Sequence, residues 1–187
     1  MIIKKKEGCQ LPELQLIKPS IEYKTDILSY RADFAVNNEI IHGSSSLHNF
    51  DTFDHWFERI QYEEILDRLP EGFVPSTQFL CINEDQKIVG MIHIRHYLND
   101  YLNNVGGHIG YSVRPDERRQ GIAKWMLHQA LLFLETKGVK KALVTCDHNN
   151  IASRNTILAC GGVYENSIHD THDDIDVDRY WINLQKI

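Results

Sequence analysis

Between His108 and Leu134 the chain passes from a strand into a long helix through a turn of little bulk, and few folds can use such a passage. His108-Ile109-Gly110-Tyr111-Ser112-Val113 reads as a strand, and Pro115 ends it because proline cannot donate to a ladder. Ile122, Trp125, Met126, Leu127, Ala130, Leu131 and Leu134 then recur at helical spacing until Gly138 stops the helix. Between the two lies Arg118-Arg119-Gln120-Gly121-Ile122-Ala123. Free backbone N–H groups in a helix's first turn, at the positive end of its dipole, suit a phosphate. Gly121 admits an anion close to the backbone because it has no β-carbon. Ala123 keeps the turn clear, and Arg118 and Arg119 add positive charge. The six residues alone read equally well as an ordinary helix start beside a solvated arginine pair. They lack the GK(S/T) of a P-loop and the GxGxxG of a dinucleotide site.

The remaining chain supplies alternating helices and strands. Leu14–Lys18 is a short strand, and a helix starting at Pro19-Ser20 carries Ile21, Leu28, Phe34 and Ala35 among its apolar positions. After the Gly43-Ser44-Ser45-Ser46 break, Asp51 or Thr52 caps a second helix that runs from about Phe53 to Leu69. Gln78–Ile82 and Lys87–Arg95 pair as a hairpin around Asn83-Glu84-Asp85-Gln86. Lys141–Cys146 is a strand, Ile151–Cys160 a helix, Val163–Asn166 a strand, and Arg179–Leu184 a last strand. The result is a mixed α/β (α+β) arrangement around one central sheet.

Several ordered motifs carry a family resemblance. Arg118-x-x-Gly121-x-Ala123 resembles the R/Q-x-x-G-x-G/A motif of the GNAT superfamily of N-acetyltransferases. Ile109–Pro115 resembles that family's fourth strand. Asn150-Ile151-Ala152-Ser153 and Gly161-Gly162 resemble its later N-x-x-A/S and glycine-pair spacing. The whole string is most similar to an uncharacterised bacterial branch of acetyltransferases, strongly from about residue 76 to 166 and more loosely on either side. The resemblance implies a GNAT-like mixed central sheet, with fourth and fifth strands splayed apart and helices on both faces. It implies acetyl-CoA as co-substrate, lying between those strands, and no metal. Tyr111, Ser112 and Val113 would hold the pantetheine. Arg118, Arg119, Gln120, Gly121, Ile122 and Ala123 would hold the pyrophosphate, and Asn150 and Ser153 would reach the pantetheine or the phosphates from the fifth-strand side.

The same resemblance frames the chemistry as direct attack of an amine on a thioester. An amine like that of lysine, with a pKa near ~10.4, must first lose a proton. His108 opens the fourth strand close to where many relatives place a glutamate, which makes it the candidate base; His93 and His96 are weaker ones. Many relatives carry a tyrosine four residues before the glycine pair that protonates the departing sulfur. Here that position is Ile157, so water or Tyr111 must substitute.

Composition bounds the alternatives. The 187 residues fit one domain spanning the whole sequence, with 42% hydrophobic and 25% charged residues. A net charge of −6 argues against a nucleic-acid partner and for a basic or neutral small substrate, and the resemblance implies a small-molecule or peptide amine acceptor. No run of about 18 apolar residues suggests a membrane partner, and Met1–Lys6 lacks the order of a signal peptide. Homodimer formation stays open. Cys9, Cys81, Cys146 and Cys160 have no CxxC spacing, so reduced thiols in a cytoplasmic setting are expected. His169-x-x-His172-Asp173-Asp174 reads as a solvated acidic loop, His55-Trp56-Phe57 and Tyr62 as core packing, and Lys4-Lys5-Lys6 as an exposed charge run. Two rival functions remain: a non-catalytic acyl-CoA-binding sensor, which the residue at Ile157 favours, and a nucleotide-binding interaction domain.

Overall fold

The computed structural model describes residues 13–186, so Lys4-Lys5-Lys6, Cys9 and the amino-terminal segment lie outside the described residues. Among the described residues, seven strands form two antiparallel sheets. β1 (Gln15–Ile17), β2 (Ser76–Ile82), β3 (Ile88–Arg95) and β4 (Ile109–Val113) make the first in sequence order. β5 (Lys141–Asp147), β6 (Val163–Asp170) and β7 (Ile175–Asn183) make the second in the order β5-β7-β6. No ladder joins β4 to β5, so the splay that the resemblance implies is present.

The alternation of β2 and β3 sends their side chains to two cores. Leu80, Ile82, Ile88 and Met91 face α1 (Lys24–Val36) and α2 (Phe53–Tyr62), where Ile27, Tyr30, Phe34, Trp56 and Ile60 are buried. Cys81, Val89, Ile92 and Ile94 face α3 (Ile122–Thr136) with Met126, Leu127, Ala130, Leu131 and Leu134. Val144, Tyr180 and Ile182 of the second sheet and Ile157 of α4 (Ile151–Ala159) complete that core. One hydrophobic core therefore runs beneath both sheets and bridges the gap between them. Cys81 and Cys146 are buried free thiols, as the apolar runs around them suggest.

Three boundaries differ from expectation. The first helix buries Phe34 as expected, together with Ile27 and Tyr30, and leaves Leu28 exposed; Ile21 lies exposed in the turn before it. α2 stops at Tyr62, not near Leu69: the Glu63 carboxylate turns inward, Ser76 N–H donates to Glu63 O at 2.8 Å, and Ile65 is extended. β6 and β7 extend to Asp170 and from Ile175, which leaves Thr171–Asp174 as the turn. Polar Glu165, Asn166 and Ser167 hid this, since β6 is an edge strand with one ladder and five exposed residues at its start.

Candidate active site

The gap between the sheets begins at one histidine. His108 N–H donates to Leu143 O at 2.7 Å, and Leu143 N–H donates back to His108 Nδ1 at 3.0 Å. The imidazole thus takes the place of a ladder carbonyl, joining β4 to β5 at a single rung before they part. With Nδ1 accepting, the proton of the neutral ring sits on Nε2, and neither nitrogen keeps a free lone pair. Burial pulls the ring's pKa down to about 4, and the Arg95 charge reinforces the shift. Gly107 makes the close pass possible: it has φ +62°, and a β-carbon there would lie 2.9 Å from Leu143 O.

Beyond that rung, β4 offers backbone to the gap. Arg95 N–H donates to His108 O at 2.8 Å and Arg114 N–H to Val89 O at 2.9 Å, so the even-numbered residues address β3. Tyr111 and Val113 therefore turn their N–H and C=O groups toward β5, where no strand receives them and the Val113 carbonyl accepts only Arg118 Nε–H, at 3.3 Å. Ser112 faces the opposite way, with its hydroxyl 3.1 Å from Tyr30 OH.

At the far end of β4 the chain reaches the amino terminus of α3. Thr52 and Asn150 cap α2 and α4 with side-chain oxygens, whereas Gly121 gives α3 no side-chain cap. Trp125 N–H bonds Gly121 O, and the N–H groups of Gly121, Ile122, Ala123 and Lys124 have no acceptor among the described residues. No acidic residue stands in that first turn. Both Arg119 (φ +65°) and Gly121 (φ +84°) are left-handed, a strain that aims successive N–H groups outward. Arg118 is engaged elsewhere: its Nη2 pairs with Glu39 Oε2, its Nη1 donates to Glu39 Oε1 at 3.1 Å, and its guanidinium lies over the Phe34 ring. Gln120 donates to Glu117 at 3.1 Å. What the turn offers an anion is backbone rather than the Arg118 side chain.

Across the gap, Asn150 Oδ1 accepts Ser153 N–H at 3.0 Å, and Ser153 Oγ lies 2.9 Å from Tyr111 OH. The Tyr111 side chain thereby reaches from β4 to α4, and burial raises its pKa, so the phenol keeps its proton. Ile157 is fully buried, and a β-carbon at Gly162 would meet its Cγ2 at 2.5 Å.

The loop between α1 and α2 closes the other side. A β-carbon on Gly43 would stand 2.2 Å from Gly110 O, so two glycines face each other there. Gln78 Nε2 holds Gly43 O at 3.0 Å and Trp56 Nε1 holds Ser44 O at 2.8 Å. Beneath the loop, Glu63 accepts from Ser45 (2.7 and 2.8 Å), Arg59 (3.0 Å) and Ser76 (3.3 Å), and pairs with His93 Nε2 at 3.1 Å. Burial would raise the carboxyl's pKa, but these bonds and the His93 charge hold it at about 2. His96 Nε2 lies 2.9 Å from Thr77 Oγ1. Gly43, Glu63 and Arg95 escaped sequence reasoning. For Glu63 a signal existed: with Trp56 and Ile60 it continues the apolar stripe at i, i+4 and i+7.

His169 and His172 pair with Asp174, Asp176 and Asp173 at the β6–β7 turn, and no group of three or more metal-ligating side chains is gathered among the described residues. Nor is any described helix long and apolar enough to cross a membrane.

The sequence matches the acetyltransferase (GNAT) family over residues 44–161. A search of curated protein sequences finds no match. Among solved structures, the microcin C7 self-immunity acetyltransferase MccE, in complex with acetyl-CoA and AMP, is similar at 17% identity and a TM-score of 0.67, covering 91% of this chain and 92% of that one. A dodecameric spermidine N-acetyltransferase from Vibrio cholerae is similar at 17% identity and 0.63, covering 92% and 95%. A GNAT-family acetyltransferase from Streptococcus pneumoniae is similar at 13% identity and 0.64, covering 91% and 99%. At such identities the likeness is one of fold.

Proposed function

The chain belongs to the GNAT acetyltransferase family, and from that premise we propose that it moves the acetyl group of acetyl-CoA to a primary amine. The observation that carries the reading is the gap between β4 and β5, which opens from the His108 rung onto the uncapped amino terminus of α3. A pantetheine arm fits there as the strand that β4 lacks, bonding the outward backbone of Tyr111 and Val113. The pyrophosphate meets the free N–H groups of Gly121–Lys124, with exposed Arg119 and Lys124 adding charge.

In the proposed step the neutral amine attacks the thioester carbon, the new N–C bond forms, and the carbonyl electrons move to oxygen. The Tyr111 N–H, fixed by the β3–β4 ladder, is placed to stabilise that oxyanion. Collapse breaks the C–S bond. The thiolate then takes a proton, which we assign to the Tyr111 phenol, protonated and held by Ser153. Since His108 offers no free lone pair, its geometry supports positioning the gap, and the amine proton leaves to water.

Thiol release from acetyl-CoA in the presence of an amine panel tests the reading. Release that depends on the amine supports it; tight binding of acetyl-CoA without release under any amine would instead favour the acyl-CoA sensor.

A further inference from the structure

Of the part-buried arginines near the gap, Arg95 has no carboxylate partner among the described residues, and neither has exposed Arg119 of the turn. Arg59, Arg114, Arg118, Arg154 and Arg179 each pair with an acidic side chain among the described residues. Arg95 is largely buried, and its Nη1 donates only to the backbone, to Gly106 O at 3.0 Å and Gly107 O at 3.5 Å. Its Nε and Nη2 have no hydrogen-bond partner among the described residues and are not sealed from the surface. Those two N–H groups point the same way and form the edge that receives both oxygens of a carboxylate. The nearest acidic group in this region, Glu63, is already saturated by Ser45, Ser76, Arg59 and His93.

The guanidinium stands beside the proposed thioester site. Arg95 Nη1 lies 3.8 Å from where a β-carbon on Gly110 would stand, one residue from the Tyr111 N–H proposed to hold the thioester oxygen. The helical turn that Arg95 anchors, Leu102–Gly106, also borders an open groove lined by Tyr101, Asn104, Val105, Ile168, His169 and Asp170. We propose that Arg95 binds a carboxylate on the acceptor, so that the acceptor is a small amino acid whose amine and carboxylate stand a carbon or two apart. This inference rests on the proposed placement of the thioester at Tyr111. A guanidinium that grips the carboxylate also fixes the amine beside the thioester, and its positive charge favours the amine's neutral, reactive form.

The test uses α-amino acids, each compared with its α-amide and with the amine lacking the carboxylate, at saturating acetyl-CoA. The wild-type kcat/KM is expected to favour the acid over the amide by about 10-fold or more for the best side chain, as a charge-assisted pair would give. Arg95→Gln should lower that acid-to-amide ratio roughly 10–100-fold, chiefly through KM, and Arg95→Lys should restore part of it as a single point charge. Thiol release that favours amides or plain amines, or an acid-to-amide ratio untouched by Arg95→Gln, overturns the inference while leaving acetyl transfer standing. Should Arg95→Gln not fold, the wild-type preference and Arg95→Lys still decide. Calorimetry of the N-acetylated acid and amide on the CoA-loaded protein reads the same preference without turnover, and equal affinity for the two overturns the inference.

Discussion

At the scale of single residues, His108 holds the sheets together at one rung instead of serving as the expected base, and Tyr111 is the proposed acid. The His108 ring is held neutral at about 4, below the ~6.5 of an unfolded histidine. Between those values the unfolded chain binds more protons, so the stability from His108 is full above pH ~6.5 and drains as pH falls toward 4. His93, also lowered by burial, adds to that slope, whereas Glu63 acts below it, between the ordinary carboxylate range and about 2. His108→Gln is therefore expected to lower the melting temperature at pH 7.5 and to flatten its dependence between pH 6.5 and 4.5. The pH profile of kcat with one acceptor should keep its acidic limb; its disappearance in the variant would restore His108 as the base. For Tyr111→Phe we expect kcat to fall about 10²-fold, within the range of acid catalysis, with little change in acetyl-CoA affinity. An undiminished kcat would hand the thiolate's proton to water.

At the scale of elements, two close approaches set the site. Gly121 occupies a left-handed conformation that costs another residue about 1–2 kcal/mol, and it heads the turn whose N–H groups are free. Calorimetry of CoA with Gly121→Val should show affinity reduced at least tenfold, beyond any loss of melting temperature; equal affinity would move the phosphates elsewhere. Gly43→Ala should force the α1–α2 loop off β4, since the added carbon would sit 2.2 Å from Gly110 O. Overpacking of about 1–3 kcal/mol should lower the melting temperature by roughly 2–12 °C, and a neutral variant would show that the loop yields freely.

At the scale of the whole molecule, the sequence disclosed those parts whose chemistry is local. The strand, proline, glycine and amphipathic helix from Ile109 to Leu134 were readable because periodicity and punctuation agree there. The roof of the site was not. Gly43 earns its place through Gly110, Glu63 through His93 and Arg95 through Gly106, contacts spanning 11 to 67 residues in sequence that no local pattern encodes. The β6–β7 hairpin was half missed because an exposed edge strand needs no apolar alternation. The central claim, that acetyl-CoA lies between β4 and β5, is tested most directly by a crystal structure with acetyl-CoA bound. The account predicts pyrophosphate oxygens about 3 Å from the N–H groups of Gly121–Lys124 and the thioester oxygen at the Tyr111 N–H. A cofactor seated anywhere else, with β4 and β5 left empty between them, would contradict it.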